Sequence, residues 1–386
     1  MFYFLYFEET KLLFRVFNRY NIEARFVGGC VRDAICNQST DDFDIAVNCE
    51  IYKLCDILTT NNINVIKTGI KFSSITVIIN HIKYEITSLR EDINCSGRYC
   101  DTQSTSSFEI DSKRRDFTIN ALYVSQNGKL FDYHNGLNDL RNNRIIFIGD
   151  PQTRIQEDFL RIFRYYRFCT KYNDYSNRYS DIIKCESTNI NKLSIERIQK
   201  ELFKILEISN NCIILNNMLN DNILHNINIE RYNALLEIYT DYINKIQSNY
   251  NSCKNNIDIL LKLYILFTYD YLINKLKLPK KLRNIIKTYK QFENEPITYC
   301  AYKNSLDIQI NVIIIQYIKY HKPLLKPITN VQDNTLPLTY SDLSAGIKQA
   351  SRYLKKCEKW WVINNFQPTK QECLAYILSL AFTNKM

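Results

Sequence analysis

Glycine, proline and histidine are scarce in this sequence, and cysteine lacks the spacing of a metal site. The 386 residues include 8 glycines, 7 prolines and 4 histidines. No histidine precedes an aspartate, which argues against an appended metal-dependent phosphohydrolase domain. The 13 cysteines form no CxxC pair and no cluster with histidine. We therefore expect no structural zinc site, and we expect free thiols in the reducing environment of a cytoplasmic protein.

Long uncharged hydrophobic runs are also missing. The opening MFYFLYFEETKLLFRVF reaches Glu8 and Glu9 early and lacks the basic start and cleavage site of a signal peptide. The most apolar later stretch, 257–273, is interrupted by Asp258, Lys262 and Asp270. A membrane helix needs about 18 or more consecutive apolar residues. We therefore expect no membrane span.

The chain is rich in hydrophobic residues and carries a basic excess. Hydrophobic residues make up 46% of it, and 50 basic against 40 acidic residues give a net charge of +10. This length predicts two or three domains. The positive charge favours a polyanionic partner such as nucleic acid. A bias toward lysine from AT-rich coding explains the same excess, so charge alone leaves the question open.

The pattern of apolar residues changes near residue 149. Before it, short apolar or β-branched runs bounded by polar turns predict strands, with helices among them: strands at 22–27, 43–47, 75–79, 84–87 and 121–124, helices at 8–19 and 31–36. After Gly149-Asp150-Pro151 the pattern is helical, most clearly at 194–207, where Ser194 suits an N-cap. The stretches around 175–191 and 326–340 are expected to be loops. The sequence thus predicts a mixed α/β module followed by an all-α region.

Two aspartates separated by one residue form a candidate metal site. If Phe43 lies in a strand, Asp42 and Asp44 project from one face and Phe43 enters the core. Magnesium prefers carboxylates together with phosphate oxygens. Acidic turns are common, so the pair alone is weak support for a metal site.

A glycine pair lies shortly before these aspartates. Gly28 and Gly29 at the end of a strand, followed by Val-Arg-Asp, allow a phosphate to approach the backbone, and Arg32 adds a cation. Alone, this is a tight strand-to-helix turn with an exposed arginine. Next to paired carboxylates, it predicts a nucleoside-triphosphate site.

Several blocks of the sequence resemble one family. These are VGGCVRD (27–33) with DFD (42–44), KTGIKFSSITVII (67–79), YEITSLRED (84–92), RRDFTINALYV (114–124), FDYHNGLNDL (131–140), DPQTRIQEDFLRIFRYYRF (150–168) and SIERIQKELFKIL (194–206). Together they resemble the tRNA nucleotidyltransferase and poly(A) polymerase family, in its bacterial and eukaryotic class, within the polymerase β superfamily. The resemblance covers roughly residues 5–215.

The resemblance implies a fold, an activity and a domain order. We expect a mixed-sheet nucleotidyltransferase head at 1–148, a helical neck with a nucleotide-selecting helix at 149–215, and a helical body and tail that bind tRNA at 216–386. The implied reaction transfers CMP and AMP from CTP and ATP to the tRNA 3′ end with release of pyrophosphate and no nucleic-acid template. The implied cofactor is Mg²⁺, held by Asp42 and Asp44.

The helix expected at 157–168 carries residues that can select a base. Asp158 and Arg161 at i and i+3 either form a surface salt bridge or present a recognition edge. A carboxylate accepts from the exocyclic amine of cytosine or adenine, and a guanidinium donates to the adjacent ring nitrogen. Uracil and guanine present the opposite polarity and leave mismatched polar groups. One such pair therefore accepts CTP and ATP and rejects UTP and GTP.

The remaining candidate residues follow from the resemblance. Arg115, Arg164 and Arg167 are expected at the triphosphate, with Asn120 beside the sugar. Glu85 is a candidate third carboxylate near the metal or the attacking hydroxyl, and a surface strand glutamate fits equally well.

The sequence also departs from the family pattern. Asp41 stands where members usually carry lysine, and Phe72-Ser73 replace a His-Gly pair. These changes concern phosphate or primer contacts and leave the metal ligands intact. The segment LREDINCSGRYCD at 89–101 resembles the flexible loop retained by enzymes that add the terminal A. The alternatives are a poly(A) polymerase, an A-adding or CC-adding enzyme, and a tRNA-binding protein with an inactive head.

Overall fold

The computed structural model describes residues 2–96, 99–208, 212–227, 259–320, 328, 335–343 and 350–383. The chain divides into two compact units, Met1–Asn228 and Ile229–Met386.

A mixed seven-stranded sheet forms the centre of the first unit. Its strands are β1 (Ala24–Val27), β2 (Asp42–Val47), β3 (Val65–Ile66), β4 (Ser74–Ile79), β5 (Ile82–Ser88), β8 (Leu122–Ser125) and β9 (Leu130–Asp132). They lie in the order β3-β4-β5-β2-β1-β8-β9. The β2 and β5 strands run parallel, and the other neighbours are antiparallel. A separate hairpin consists of β6 (Arg90–Ser96) and β7 (Tyr99–Ser104).

α-Helices lie between these strands in the sequence and follow the last of them. The α-helices of the first unit are α1 (Glu8–Arg19), α2 (Gly29–Ile35), α3 (Ile51–Thr60), α4 (Phe108–Lys113), α5 (Gly136–Arg141), α6 (Pro151–Glu157), α7 (Leu160–Tyr172), α8 (Ser180–Glu186), α9 (Ile195–Glu207), α10 (Cys212–Asn220) and α11 (Ile223–Asn226). A 3-10 helix at Thr118–Asn120 precedes β8. From α6 onward the described part of this unit contains helices and no strand, so the predicted mixed-sheet head followed by helices is confirmed.

Alternation along the central strands separates a core face from a polar face. Phe26, Phe43 and Tyr84 are fully or almost fully buried. Phe4 and Phe14 pack against the Phe26 ring, with ring centroids 4.5 Å and 5.5 Å away. Burial of these aromatic rings fixes the register, because a shift by one residue would expose them and bury the charged residues between them.

The second unit is helical throughout its described residues. Its helices are α12 (Ile259–Leu266), α13 (Tyr269–Asn274), α14 (Lys280–Phe292), α15 (Ile297–Lys303), α16 (Leu306–Tyr320), α17 (Ala350–Ile363) and α18 (Lys370–Thr383). Tyr353, Cys357 and Trp361 of α17 form a core cluster with Cys373 and Ile377 of α18. No helix in the described ranges is long and apolar enough to cross a membrane.

Two sequence expectations about local structure require correction. The stretch around 175–191 is not a loop, because α8 and a 3-10 helix at Ser187–Lys192 occupy most of it, with Ile183 and Ile190 fully buried. Ser194 precedes α9 as expected, but its side chain makes no capping hydrogen bond. Most of the stretch around 326–340 lies outside the described residues.

Candidate nucleotidyl-transfer site

The candidate carboxylates lie on the polar face of β2 and β5. Asp42 and Asp44 project from this face, while Phe43 between them is buried on the other. Parallel pairing places Lys83 opposite Asp42 and Glu85 opposite Asp44. The sheet therefore brings the three predicted carboxylates together with a lysine that the sequence analysis did not single out.

Asp44 is the least accessible of these carboxylates. Burial is the main cause that raises its pKa to about 6; Arg115 opposes the shift, and Glu85 and Asp42 add to it. Among the described residues none donates a hydrogen bond to this carboxylate. A partly buried carboxylate beside two others suits a divalent cation in its donor chemistry. Within the described residues, however, no group of three or more histidine, cysteine, aspartate and glutamate side chains has the geometry of a formed metal site.

Gly28 lies next to both the carboxylate of Asp44 and the guanidinium of Arg115. It has φ +75° between β1 and α2. A Cβ placed on it would lie 3.7 Å from Arg115 Nη1, 3.7 Å from the Asn120 carbonyl oxygen and 3.8 Å from Asp44 Oδ2. On Gly29 a Cβ would lie 3.8 Å from Arg32 Nη2. The missing side chains therefore leave room for a ligand between a carboxylate and two arginines.

Hydrogen bonds fix Arg115 in the direction of Gly28. Its Nη2 donates to Asp111 Oδ2 at 3.1 Å, and its Nε donates to the Tyr123 hydroxyl at 3.0 Å. That hydroxyl in turn donates to Asp111 at 2.8 Å. Since Asp111 is fully buried, the guanidinium has little freedom to turn away.

A second network joins α2, the 3-10 helix and α7. Arg32 donates to the Asn120 side-chain oxygen. Asn120 Nδ2 donates to Asp116 Oδ1 at 2.9 Å, and Arg164 Nε donates to Asp116 Oδ2 at 2.7 Å. Burial alone would raise the pKa of Asp116, but Arg164, Asn120 and the Phe117 N–H outweigh it and lower the pKa to about 2. Asp116 was not predicted, although it follows Arg115 directly in the RRD motif.

Three of the predicted arginines surround one aromatic ring. The guanidinium carbons of Arg32, Arg164 and Arg167 lie 5.0 Å, 5.8 Å and 4.1 Å from the centroid of Phe168. Arg167 Nε also donates to Glu201 of α9 at 2.5 Å. The Phe168 ring stabilises the close approach of like charges through cation–π attraction. Each of these arginines is also paired with a carboxylate, Arg32 with Asp33, Arg164 with Asp116 and Arg167 with Glu201, so this side of α7 carries a cluster of ion pairs.

Asp158 and Arg161 do not share one helix, which corrects the expectation of a continuous helix at 157–168. α6 ends at Glu157, Asp158 is extended with φ −154° and ψ 105°, and α7 begins at Leu160. The Asp158 carboxylate accepts from the Leu160 N–H at 3.1 Å, a local bond that competes with continuing the helix. The i, i+3 salt bridge is also absent, since each side chain binds elsewhere.

The partners of these two residues hold them near the helix junction. Asp158 Oδ2 accepts from Arg197 Nη2 of α9 at 2.8 Å. Arg161 Nη1 donates to Glu157 Oε2 at 2.5 Å and to the Arg154 carbonyl oxygen at 2.6 Å. Among the described residues none accepts from Nε or Nη2 of Arg161. One edge of the guanidinium thus stays open to a ligand.

Comparison with known proteins agrees with this architecture. Residues 24–146 match the family described as the poly A polymerase head domain. The chain is 28% identical over 402 residues to the human mitochondrial CCA tRNA nucleotidyltransferase 1, covering 97% of this chain and 90% of the relative. It is 35% identical over 187 residues to the CCA-adding enzyme of Lactobacillus helveticus, a match that spans about half of each, 47% and 46%.

A solved structure shows the same fold. The Bacillus stearothermophilus CCA-adding enzyme in complex with CTP superposes with a TM-score of 0.66, covering 96% of both chains at 18% identity. The chain therefore shares the fold of this CCA-adding enzyme, a mixed-sheet head followed by helices. Within that fold, residues 24–146 resemble the poly A polymerase head domain, and the relatives named above are a CCA tRNA nucleotidyltransferase and a CCA-adding enzyme. Nucleotidyltransferases of this family generally use divalent metal ions.

Proposed function

We propose that this protein adds C, C and A to the 3′ end of tRNA without a nucleic-acid template, using CTP and ATP. The convergence of Asp44, Arg115 and Asn120 on the space above Gly28 carries this proposal. It joins a cation-binding face to a phosphate-binding one, as phosphoryl transfer requires. The relatives named as CCA tRNA nucleotidyltransferase and CCA-adding enzyme support the choice of substrate.

The reaction is a displacement at the α-phosphorus of the incoming nucleotide. The tRNA 3′ oxygen forms a bond to this phosphorus and releases its proton to solvent, while the bond from the α-phosphorus to the oxygen that bridges it to the β-phosphorus breaks and pyrophosphate leaves. Asp42 and Asp44 would hold Mg²⁺, with Glu85 beside them. When bound, the ions lower the pKa of the 3′ hydroxyl and neutralise charge on the leaving pyrophosphate.

The arginines and glycines hold the triphosphate. Gly28 and Gly29 let it approach the backbone. We assign its oxygens to the arginines of both networks, with Asn120 beside the sugar: Arg32, Arg115, Arg164 and Arg167. Arg164 has a 33% exposed side chain and is the more accessible member of its pair with Asp116, which suits a group that contacts a ligand.

Asp158 and Arg161 select the base from the junction between α6 and α7. Asp158 accepts from the exocyclic amine of cytosine or adenine, and the open edge of Arg161 donates to the ring nitrogen. Arg197 orients Asp158, and Glu157 orients Arg161. An edge held this way rejects uracil and guanine because their polarity is opposite.

Substitution of the exposed metal ligand tests this assignment. Asp42 has an 83% exposed side chain, so Asp42→Asn should leave the fold intact. Incorporation of CMP into a tRNA transcript lacking CCA should fall below detection, while gel-shift binding of the tRNA is retained. Asp56→Asn is the matched control, because Asp56 is an exposed aspartate of α3 and does not lie on the carboxylate face of β2 and β5. Full activity of Asp42→Asn would reject the site.

Domain limits and location are part of the same proposal. A head at 1–148, a neck at 149–215 and a body and tail at 216–386 would divide catalysis, base selection and tRNA binding.

The cytoplasmic location predicted from the cysteine spacing also stays a proposal. Nine cysteines in the described ranges are free thiols, and the human relative is named as mitochondrial.

A further inference from the structure

Lys83 lies among the carboxylates of the candidate site. It is placed directly opposite Asp42 by the parallel register of β2 and β5, and its side chain projects from the same face as Glu85 two residues later. Its Nζ lies 2.6 Å from Glu85 Oε1 and 3.9 Å from Asp42 Oδ1. The backbone register fixes this proximity, because neighbouring strands lie about 5 Å apart and a lysine side chain spans that distance.

The strand on the other side offers the ammonium no alternative acceptor. Antiparallel pairing places Ile78 of β4 opposite Lys83. Among the described residues, Glu85 is the only hydrogen-bond partner of Nζ and Asp42 its only further ion-pair partner. The positive charge of Lys83 is therefore directed at the face where a divalent cation would bind.

We infer that Lys83 is an internal counter-cation of the metal-binding face, which pairs with Glu85 and Asp42 until a divalent ion displaces it. This inference rests on the proposed function, because it takes Asp42 and Asp44 as the metal ligands. Asp42 Oδ1 is the oxygen that the ammonium and a divalent ion would share, and the two positive charges repel each other across it. Lys83 thus lowers the affinity for a free ion.

The competition links metal binding to nucleotide binding. Phosphate oxygens are favoured Mg²⁺ ligands, and an incoming triphosphate brings several of them. A site in which lysine weakens binding of the free ion then binds it firmly only together with the nucleotide. Lys83 therefore makes occupancy of the metal site depend on the bound nucleotide.

Binding of Mn²⁺ in the absence of nucleotide and tRNA tests the inference. The full-length wild type, Lys83→Met, Lys83→Arg and Lys53→Met are titrated with Mn²⁺, and the free ion is measured by electron paramagnetic resonance. Lys53 is an exposed residue of α3, so its substitution changes net charge equally without touching the carboxylates. We expect Lys83→Met to bind Mn²⁺ about three- to fivefold more tightly than the wild type, as exposed ion pairs allow. Lys83→Arg and Lys53→Met should match the wild type.

The outcomes separate this inference from the proposed function. If Asp42→Asn weakens Mn²⁺ binding but Lys83→Met leaves it unchanged, the inference fails and the metal site stands. Weaker binding by Lys83→Met would also overturn it, since the lysine would then support the site. If Asp42→Asn binds Mn²⁺ as the wild type does, the metal assignment itself fails. A tighter Lys83→Met whose advantage shrinks in added KCl, as screening requires, supports the inference.

Discussion

At the residue scale, Gly28 is where absence of a side chain matters most. Its φ of +75° and ψ of −126° lie in a region that residues with a Cβ avoid. The nearest atoms to a methyl group added at this position are 3.7–3.8 Å away, so Gly28→Ala meets strain rather than a clash. The methyl group would stand between Asp44 and Arg115, where we place the triphosphate.

Gly28→Ala is therefore expected to lose activity beyond its loss of stability. The strain should lower the free energy of unfolding by about 1–3 kcal/mol in urea titrations. Gly128→Ala is the control: Gly128 also has positive φ, at +81°, and its nearest neighbour would be Leu5 Cδ1 at 3.8 Å. We expect both variants to be destabilised and only Gly28→Ala to lose CMP incorporation. Equal activity of the two variants would contradict the placement of the triphosphate.

Arg197 gives a second prediction at this scale. It fixes one oxygen of Asp158 from a neighbouring helix. Arg197→Met should let Asp158 turn, so that the preference for CTP over UTP falls about tenfold, equivalent to about 1.4 kcal/mol. Arg197→Lys should recover part of the preference because it restores the charge. The ratio of kcat/KM for the two nucleotides measures the effect, and an unchanged ratio in Arg197→Met would refute this role.

At the scale of elements, Asp116 joins the 3-10 helix at Thr118–Asn120 to α7 through Asn120 and Arg164. Its pKa of about 2 is below the value of about 3.9 expected in the unfolded chain. A lowered pKa means that ionised Asp116 stabilises the fold above about pH 4 and that this stabilisation is lost as the pH falls through about 2.

Asp116→Asn should therefore destabilise the protein in a pH-dependent way. Removing one partner of a buried ion pair costs about 3 kcal/mol near neutral pH. The difference from the wild type in unfolding free energy should narrow by about 2 kcal/mol between about pH 5 and pH 2. Chemical denaturation of both proteins across this range measures it. A difference that stays constant with pH would show that Asp116 is not held ionised by Arg164.

The elements also show how far the sequence determines the site. Alternation around Phe43 predicted the carboxylate face correctly, because burial of one aromatic residue fixes its neighbours. Helical spacing predicted Asp158 and Arg161 on one face, but the Leu160 N–H donates to the Asp158 carboxylate instead, and α6 ends at Glu157. Asp116, Lys83 and Arg197 were missed because their roles depend on pairing between distant segments, which local periodicity does not contain.

At the scale of the whole molecule, positive charge is relevant to RNA binding. The chain carries +10, and α14 turns Ile286, Tyr289 and Phe292 inward while the lysines at its start stay exposed. The basic and apolar residues at 276–283 predict a phosphate-binding surface for an arm of the tRNA, and solvated lysines next to core apolar residues explain the same pattern. Lys280→Met with Lys281→Met should weaken tRNA binding and flatten its dependence on salt, because fewer counterions are released.

Fluorescence anisotropy at several KCl concentrations measures this effect. Lys53→Met with Lys129→Met, in the first unit, is the control with the same change in net charge. Equal losses of affinity and slope in both double variants would mean that net charge, rather than the surface at the start of α14, attracts the tRNA.

The identity of the reaction products tests the central claim most directly. Purified protein with Mg²⁺ is incubated with a tRNA transcript lacking CCA and with CTP, ATP or both, and products are resolved at single-nucleotide length. We predict two additions with CTP alone and a third only when ATP is also present. Long, heterogeneous tails with ATP alone would instead indicate a poly(A) polymerase. Arrest after two additions with both nucleotides, or a lone A added only to tRNA ending in CC, would contradict complete CCA addition.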